Sequence, residues 1–281
     1  MTANSLNGRT ILMSGGSRGI GLAIAVRAAR EGARVALIAK TAEPHPKLPG
    51  TIYSAAKAIE SAGGEALPIV GDIRDTDAVE QAVTQTVERF GGIDIVVNNA
   101  SAINLSSMAN LEVKRFDLMQ QINSRGTFVV TRACLPYLRE SEHPHVLTLS
   151  PPLSADPRWL AGHSAYTLSK MGMTMITLGV AADEPDIAAN CLWPRTIIAT
   201  AAVQNLLGGD EAMARARTPD IYADAAYHVL VRDPGSCTGN TFIDDEVLAE
   251  AGITDLSAYS AAGADLVLDI FVDGWPEGVP A

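Results

Sequence analysis

Short apolar stretches alternate with longer amphipathic ones along the first 245 residues of the chain. The apolar stretches have the length and the β-branched character of buried strands. They lie near residues 9–14, 34–39, 66–70, 93–98, 145–149, 187–193 and 240–244. Between them, apolar residues recur at helical spacing, as they do within 76–90. This alternation predicts a single α/β domain, a doubly wound parallel sheet of about seven strands with helices on both faces.

Two segments interrupt the alternation, and a third follows it. Residues 40–51 and 151–163 contain several prolines, so each is predicted to be a loop after a strand, at the carboxyl edge of the sheet. Residues 247–281 have enough apolar positions to predict that they dock on the protein. The predicted organisation is one domain over residues 1–246 with a docked C-terminal tail over 247–281.

Composition narrows the possible partners. The 281 residues include 21 Lys and Arg against 32 Asp and Glu, a formal net charge of −11, which disfavours binding to nucleic acid or to an anionic membrane surface. The sequence shows no secretory signal, no 18-residue apolar stretch and no terminal Ser-Lys-Leu. Its three cysteines are odd in number and far apart, so no disulfide framework is predicted. We expect a cytoplasmic protein that acts on a small-molecule substrate.

A glycine-rich turn follows the first predicted strand and precedes a helical run. Glycine allows a tight turn and the close approach of a phosphate, which free N–H groups at the start of the helix can bind. The spacing GxxxGxG differs from the GxGxxG fingerprint, and such a turn alone is also typical of an ordinary strand-to-helix connection. The predicted dinucleotide contacts are Ser14, Gly15, Ser17, Arg18, Gly19, Ile20 and Gly21.

The end of the second strand indicates which dinucleotide is bound. NAD sites usually place an acid there to hold the ribose hydroxyls, whereas the 2′-phosphate of NADP needs a cation. Here Lys40 ends the strand, no acid occurs before Glu43, and Arg18 supplies a second positive charge. The pattern favours NADP(H), and the alternative is that Lys40 is an ordinary exposed lysine.

Polar residues after the next two strands extend the predicted site. Asp72 and Ile73 follow the third strand, where a carboxylate can accept a hydrogen bond from the adenine amino group. Asn99 and Ala100 follow the fourth strand. Asn and Asp are also ordinary turn residues, but in a parallel sheet these positions share the edge at which ligands bind.

The chain contains two tyrosines that each precede a lysine by four residues, Tyr53 with Lys57 and Tyr166 with Lys170. Such residues are neighbours on a helix, so the cation can lower the pKa of the phenol and let it exchange a proton with a carbonyl or alcohol. The second pair follows strand five, where the nicotinamide half of a cofactor reaches, and is predicted to be catalytic. The first pair is assigned to an amphipathic helix. The core face of that helix is predicted to be Ile52, Ala56 and Ile59.

Together these motifs resemble those of the short-chain dehydrogenase/reductase family over roughly residues 8–245. The resemblance rests on the glycine turn, Asp72, Asn98-Asn99-Ala100, Asn123 and Tyr166-x3-Lys170. It implies a Rossmann-type fold with Tyr166 as the proton donor and Lys170 holding the nicotinamide ribose. It further implies that Asn123 anchors a proton-relaying water and that the protein is a homodimer or homotetramer.

Two positions depart from the family pattern. The second serine of the usual strand-five pair is replaced by Pro151, which leaves Ser150, or Ser154 in the following loop, to supply the catalytic hydroxyl. Ser150 is favoured. The usual Pro-Gly after the sixth strand reads Pro194-Arg195, so the loop beside the nicotinamide amide lacks its glycine. The contacts still predicted there are Pro194, Thr196 and Ile197.

Several longer stretches resemble one subgroup of the family, whose animal members have a further sterol-carrier domain and a peroxisomal ending. The stretches are 39–53, 98–103, 149–153, 224–227 and 242–245. The resemblance implies an oxidoreductase that transfers hydride between nicotinamide and a secondary alcohol or ketone, and the pattern at Lys40 and Arg18 makes NADP(H) the expected cofactor. A steroid-like or fatty-acyl substrate is suggested by the family alone.

The remaining alternatives concern the substrate pocket, catalysis and metals. Apolar residues in 151–163 and in the lid-like 197–209 either wall an apolar pocket or simply pack the loops onto the sheet. Loss of the usual serine would also fit a dinucleotide-binding sensor with impaired catalysis. No metal site is predicted, because His143 and His145 have no third ligand at metal spacing. The acidic run 244–246 is interpreted as a solvated turn or helix start, and otherwise as a cation site.

Overall fold

Seven strands form one sheet in the computed structural model, which describes residues 5–45, 48–206, 208–261 and 263–275. The strands are β1 (Thr10–Ser14), β2 (Arg34–Ala39), β3 (Glu65–Val70), β4 (Ile95–Asn98), β5 (His145–Leu149), β6 (Ala188–Trp193) and β7 (Thr241–Ile243). All neighbours pair in parallel, in the order β3-β2-β1-β4-β5-β6-β7. The predicted seven-stranded parallel sheet is confirmed.

Helices connect the strands and cover the sheet. They are α1 (Gly19–Ala29), α2 (Ile52–Ser61), α3 (Thr76–Phe90), α4 (Val113–Ile122), α5 (Ser124–Leu138), α6 (Pro157–Leu160), α7 (Ser164–Asp183), α8 (Ala201–Leu206), α9 (Gly209–Ala214), α10 (Pro219–Leu230) and α11 (Asp244–Glu250). Helix α3 has the bounds that the spacing of its apolar residues predicts. Single turns of 3₁₀ helix lie at Pro234–Ser236 and Ser257–Tyr259.

Both faces of the sheet are buried. Side chains alternate along a strand, so in β1 Ile11 and Met13 belong to the core shared with α1 and α10, and Leu12 belongs to the core shared with α3 and α5. All five residues of β1 are buried. Burial on two sides explains why the strands appear in the sequence as continuous apolar stretches and not as alternating ones.

The chain direction across the sheet reverses between β1 and β4. From β1 the chain proceeds outward to β2 and β3, and it then returns to pair β4 with the other side of β1. The connections after β1 and β4 therefore diverge to opposite faces. Open parallel sheets bind their ligands in the crevice that this divergence creates at the carboxyl edge.

Helix α2 carries the first tyrosine and lysine pair away from that crevice. Its side chains Ile52, Ala55, Ala56 and Ile59 are buried, while Tyr53 is 49% exposed. Thr51 caps the helix in a capping box with Ser54. The assignment of this pair to an amphipathic helix, and not to the reaction, agrees with the buried face.

The cysteines and the paired histidines lie in the interior. Cys134, Cys191 and Cys237 are buried free thiols. His143 and His145 are also buried, with ring centroids 4.4 Å apart, and burial lowers the pKa of both imidazoles, that of His145 to about 3. Within the described residues no group of three or more His, Cys, Asp or Glu could hold a metal ion. No helix in the described ranges combines the length and apolarity that a membrane span requires.

The described part of the tail packs on the same domain. Ile253, Leu256 and Tyr259 pack against the core shared with α1 and α10, and the Tyr259 hydroxyl donates to Asp224 at 2.8 Å. Phe271 and Val272 are buried. The last predicted tail residues, 276–281, lie outside the described residues, as do residues 46–47 of the first predicted loop.

Candidate active site

The glycine turn is shaped by the close approach of Asn99. Gly15 has φ +80, and a Cβ added there would lie 2.5 Å from the Asn99 side-chain nitrogen. A Cβ on Gly21 would lie 2.6 Å from the same atom. Asn99 Nδ2 donates to the Ser14 carbonyl at 2.9 Å. The ends of β1 and β4 are thus held together, and any larger residue at Gly15 or Gly21 would obstruct the turn.

Two adjoining cavities follow the carboxyl edge of the sheet. The first, which we call the turn cavity, has a volume of about 770 Å³ and is lined by the glycine turn and the ends of β2, β3 and β4. The second, the tyrosine cavity, has a volume of about 640 Å³ and lies beside Tyr166 and Lys170. They share wall residues. The shared residues are Ile20, Asn99, Ser101, Thr200 and Ala202.

Most predicted cofactor residues line the turn cavity. Those present are Gly15, Ser17, Arg18, Gly19, Ile20, Lys40, Asp72, Ile73, Asn99 and Ala100. Ser14 is buried beneath the turn, where its hydroxyl accepts from the backbone N–H of Asn99 and of Ala100, both at 3.2 Å. Gly21 also lies outside the wall, within the first turn of α1. These two residues shape the turn and do not face the cavity.

Positive charge gathers at the outer end of the turn cavity. Lys40 Nζ lies 3.4 Å from Asp72 Oδ2, and the Arg74 guanidinium donates to the same carboxylate at 2.6 Å. Hydrogen bonding from Arg74 holds the pKa of Asp72 at about 2. Arg18 donates to the Gly50 carbonyl at 3.0 Å. Asp72 is thus ionised and engaged by two cations.

Tyr166 and Lys170 lie one turn apart on α7 and line the tyrosine cavity. Burial raises the pKa of the Tyr166 phenol above its ordinary range, the charge of Asp269 adds to this, and a hydrogen bond with Ser101 opposes it. Burial lowers the pKa of Lys170 to about 7. The direction for Tyr166 is opposite to the predicted lowering, because burial of the phenol dominates. The Lys170 ammonium nitrogen instead donates to the Leu149 carbonyl, 2.5 Å away.

Asn123 lies at the junction of α4 and α5 and is fully buried. Its Oδ1 accepts from the backbone N–H of Ala102 at 2.7 Å, and its Nδ2 donates to the Ala102 carbonyl and to Ser169 Oγ, at 3.0 and 2.8 Å. It lines neither cavity. In this arrangement Asn123 fixes the segment after β4 against α7.

The structure does not bring Ser150 to the phenol. Ser150 is fully buried, its hydroxyl accepts from Thr174 at 2.9 Å, and it is absent from the walls of both cavities. Ser154 Oγ accepts from the Asp156 N–H and is likewise absent from those walls. The hydroxyl that does contact Tyr166 belongs to Ser101. Sequence reasoning missed this residue, although it directly follows the Asn98-Asn99-Ala100 motif.

Arg195 stands where the family pattern has glycine, and it anchors the loop after β6. Its guanidinium is buried and donates to Asp245 at 3.0 Å and to Glu246, while its backbone N–H donates to Asp244 at 2.8 Å. It also donates to the Gly274 carbonyl at 2.7 Å. The acidic run 244–246 forms the first turn of α11, as the predicted helix start has it, but Asp244 and Asp245 are buried and not solvated. Asp244 accepts from the Arg195 N–H, and Asp245 and Glu246 accept from its guanidinium.

The loop that Arg195 anchors supplies part of the predicted site. Pro194 and Ile197 line the tyrosine cavity, whereas Thr196 is fully buried and lines neither cavity. Among the described residues the Thr196 hydroxyl has no hydrogen-bond partner. Of the predicted lid, Ile198 and Val203 also line the tyrosine cavity, and Leu207 lies outside the described residues. In the predicted loop 151–163, Leu153 and Leu160 are exposed, so they do not wall the pocket.

The tail closes the tyrosine cavity from one side, a role that the sequence did not indicate. Ile197 N–H donates to the Val267 carbonyl at 3.0 Å, and Trp193 Nε1 donates to the Ile270 carbonyl at 2.8 Å. The Phe271 ring stacks on Tyr166, with centroids 6.3 Å apart. Phe271 has φ 71, an uncommon conformation for a bulky residue.

The residues present fit a nicotinamide dinucleotide. The glycine turn leaves space that a Cβ would fill, cations stand at its outer end, and the turn cavity leads to Tyr166 through shared walls. Helix α1 begins at Gly19, directly after the turn, so its free N–H groups and dipole favour a phosphate.

The chain is similar to known dehydrogenases over most of its length. A short chain dehydrogenase family model matches residues 9–209. Hydroxysteroid dehydrogenase-like protein 2 from Danio rerio is 51% identical over 274 residues, which are 97% of this chain and 66% of that relative. The chain therefore spans just under two thirds of the relative's length.

Solved structures have the same fold. A short chain dehydrogenase from Mycobacterium thermoresistibile is 60% identical, with a TM-score of 0.92 and coverage of 98% of this chain and 99% of that one. The NADH-dependent reductase A1-R′, solved with NAD, is 25% identical, with a TM-score of 0.70 and coverage of 86% and 97%. With the fold and the site arrangement described above, these matches show that the chain belongs to the short-chain dehydrogenase/reductase family.

Proposed function

We propose that this protein is an NADP(H)-dependent oxidoreductase that interconverts a ketone and a secondary alcohol. The observation that carries the proposal is the position of the Tyr166 phenol on the wall of a largely apolar cavity that adjoins the glycine-turn cavity. Membership of a family of nicotinamide-dependent oxidoreductases supports this class of reaction. The preference for NADP is proposed from the charges of the site.

The cofactor preference is supported by the charges at the outer end of the turn cavity. Lys40 and Arg18 line that end, and Asp72, the one acid among the described residues of the cavity wall, is already engaged by Arg74. In this described wall no other carboxylate can accept from a ribose hydroxyl, whereas two cations are placed to meet a 2′-phosphate. The glycine turn and α1 would hold the pyrophosphate, and Lys170, Pro194 and Ile197 would surround the nicotinamide end.

The chemistry of the site follows from its own proton donors. When bound, the nicotinamide supplies or accepts a hydride. Burial keeps Tyr166 protonated at neutral pH, so its phenol can give a proton to the oxygen of a ketone as that oxygen gains charge. The Ser101 hydroxyl bonds to the phenol and orients it. The Lys170 ammonium group donates to the Leu149 carbonyl and so holds α7 against the end of β5, beside the cavity.

Apolar walls support an apolar substrate. Around Tyr166 the tyrosine cavity is lined mainly by aliphatic and aromatic side chains. They include Ile103, Leu105, Leu149, Trp193, Ile197, Ile198, Val203, Val267, Leu268 and Ile270. A ketone with an apolar body, steroid-like or fatty-acyl, would be desolvated there at little cost. We also expect a cytoplasmic homodimer or homotetramer, which light scattering after size exclusion would check.

The proposal is tested by fluorescence titration of the purified protein with NADPH and NADH, together with turnover of a panel of aliphatic and steroid ketones. We expect tighter binding of NADPH and reduction of at least one apolar ketone. Equal affinity for the two cofactors would contradict the NADP assignment. Tight NADPH binding without turnover of any ketone would instead favour the second candidate, a dinucleotide-binding sensor. This candidate is supported by the position of the Ser150 hydroxyl, which bonds to Thr174 and lies outside both cavity walls.

Exchange of Lys40 for alanine gives a sharper prediction about the cofactor. We expect the Kd for NADPH to rise by about 10-fold to 100-fold, since a charge-assisted hydrogen bond contributes about 1.5–3 kcal/mol, while the Kd for NADH stays close to that of the wild type. Lys57→Ala is the matched control, because Lys57 is exposed on α2 and lines neither cavity. An equal loss of affinity for both cofactors would show that Lys40 does not read the 2′-phosphate.

A further inference from the structure

A single acidic side chain of the tail reaches the reaction end of the tyrosine cavity. Among the described residues that line this cavity, the carboxylates are Glu211, on α9, and Asp269, which belongs to the tail segment that crosses the loop after β6. Charge interactions link Asp269 to both Tyr166 and Lys170. The segment therefore brings a carboxyl group to the side of the proton-donating phenol.

The backbone on either side of Asp269 is firmly held. Its own N–H donates to the Arg195 carbonyl at 2.9 Å, Leu268 forms a bridge with Thr196, and the Ile270 carbonyl accepts from Trp193. The carboxyl group itself accepts from the Ile270 N–H. These contacts join the tail segment to the end of β6, so the carboxyl group is a fixed part of the cavity wall.

Burial of the Asp269 carboxyl favours its protonated form. It raises the pKa to about 8 and the charge of Asp244 adds to this, whereas the hydrogen bond from the Ile270 N–H and the charge of Lys170 oppose it. Lys170 is itself easily deprotonated, with a pKa of about 7. At pH 7 Asp269 is therefore mainly a neutral acid with an O–H to donate. The titratable groups that interact with it are Tyr166, Lys170, Tyr222 and Asp244.

Few other side chains near the phenol can offer a hydroxyl to a substrate. Ser150 and Thr174 bond to each other in the interior, and Ser101 is bonded to Tyr166. A ketone oxygen in this cavity would gain negative charge during reduction, and a second donor aimed at it lowers the barrier in a site from which water is excluded. A buried carboxylic acid kept neutral is a known type of such donor.

We propose that Asp269 is a further substrate-contacting residue, whose carboxyl group donates a hydrogen bond to the reacting oxygen beside the Tyr166 phenol. This rests on the proposed reductase function. During reduction the carbon–oxygen π pair moves onto oxygen as the hydride adds to carbon. Tyr166 gives up its proton to that oxygen, and Asp269 keeps its own.

The test compares Asp269→Ala and Asp269→Asn with the wild type at full length. For Asp269→Ala we expect kcat/KM for ketone reduction to fall by about 100-fold at pH 7, the usual order for loss of one such donor, with the Kd for NADPH unchanged. Asp269→Asn keeps an N–H donor and should retain more activity than Asp269→Ala. Asp273→Asn is the matched control, because Asp273 belongs to the same segment but its side chain is 82% exposed.

The pH profile separates a donor from a mere structural group. Wild-type kcat/KM for reduction should fall as pH rises through about 8, because the ionised carboxylate no longer donates and repels the developing charge. Asp269→Asn cannot ionise, so this fall should be missing from its profile. Wild-type activity and an unchanged pH profile in Asp269→Ala would overturn the assignment, and weaker NADPH binding would show that Asp269 contacts the cofactor instead.

A folding measurement checks the protonation without turnover. An acid whose pKa is raised on folding binds its proton more tightly in the folded state, so its contribution to stability is full below the unfolded pKa of about 4 and is lost as pH rises toward about 8. The urea midpoint of the wild type should therefore drop relative to that of Asp269→Asn between pH 5 and pH 8.5. If the urea midpoints of the two proteins change equally with pH, the assignment of Asp269 as a neutral acid is overturned. If the wild type binds NADPH but reduces no ketone, the proposed function fails and this assignment with it.

Discussion

Replacement of Tyr166 by phenylalanine is expected to lower kcat for ketone reduction by roughly 10²- to 10⁴-fold, the range that a positioned general acid contributes. The substitution removes one oxygen and leaves the ring that stacks on Phe271. The phenol lies on the wall of the tyrosine cavity, and burial holds its proton through the neutral pH range. Steady-state turnover with NADPH and a reduced ketone measures the effect.

The same variant should bind NADPH with a Kd close to that of the wild type, because the turn cavity and its cations do not include the phenol. Tyr53→Phe is the matched control, since Tyr53 also precedes a lysine by four residues but is half-exposed on α2. It should leave both turnover and binding unchanged. Undiminished turnover in Tyr166→Phe would remove Tyr166 from the reaction.

Replacement of Arg195 by alanine is expected to lower the free energy of unfolding by about 3–5 kcal/mol, the cost of breaking a buried ion pair from one side. Asp245 is 6% exposed and would lose its closest cation, leaving only Arg217, 3.7 Å away. The Gly274 carbonyl would also lose its donor, which frees the end of the tail. Urea unfolding at pH 7 measures the loss.

Two further variants distinguish the loss of a buried ion pair from the loss of an exposed arginine. Arg158 is 58% exposed and also joins the tail, through Asp273 at 2.9 Å, so Arg158→Ala should cost no more than about 1 kcal/mol. If Arg195→Ala does not fold, Arg195→Lys keeps the charge but not the planar fork that meets Asp245 and Glu246, and it should unfold at a lower urea concentration than the wild type. Unchanged stability in both variants would mean that the ion pair contributes nothing.

The bounds of β4 differ from the predicted ones, whereas those of α3 match them. The apolar stretch at 93–98 predicts a strand, but β4 begins at Ile95, directly after Asp94, whose carboxylate accepts from the Thr10 N–H at 2.8 Å and from Ser141. Helix α3 matched its prediction at both ends, where Asp75 caps its start and Gly91 its end in a left-handed conformation. Caps are short-range signals, so they can be read from neighbouring residues.

The sequence predicted only part of the site, because some of its side chains are oriented by contacts between residues far apart in the chain. The glycine turn, Lys40 and the pair Tyr166 and Lys170 lie along one sheet edge, because each follows a strand whose parallel neighbours end at that edge. The direction of the Ser150 hydroxyl depends on its contact with Thr174, 24 residues away. No local pattern encodes such a contact.

The sequence by itself determined the doubly wound sheet, the position of the glycine turn and the helical face shared by Tyr166 and Lys170. These features depend on the period of apolar residues and on backbone preferences within a few positions. Only the tertiary structure decided that Ser101 contacts the phenol, that Arg195 joins the loop after β6 to the acids of α11, and that Asp269 faces the reaction end of the cavity. Those pairings join residues 49 to 103 positions apart, and such contacts arise only when the packed core brings distant segments together.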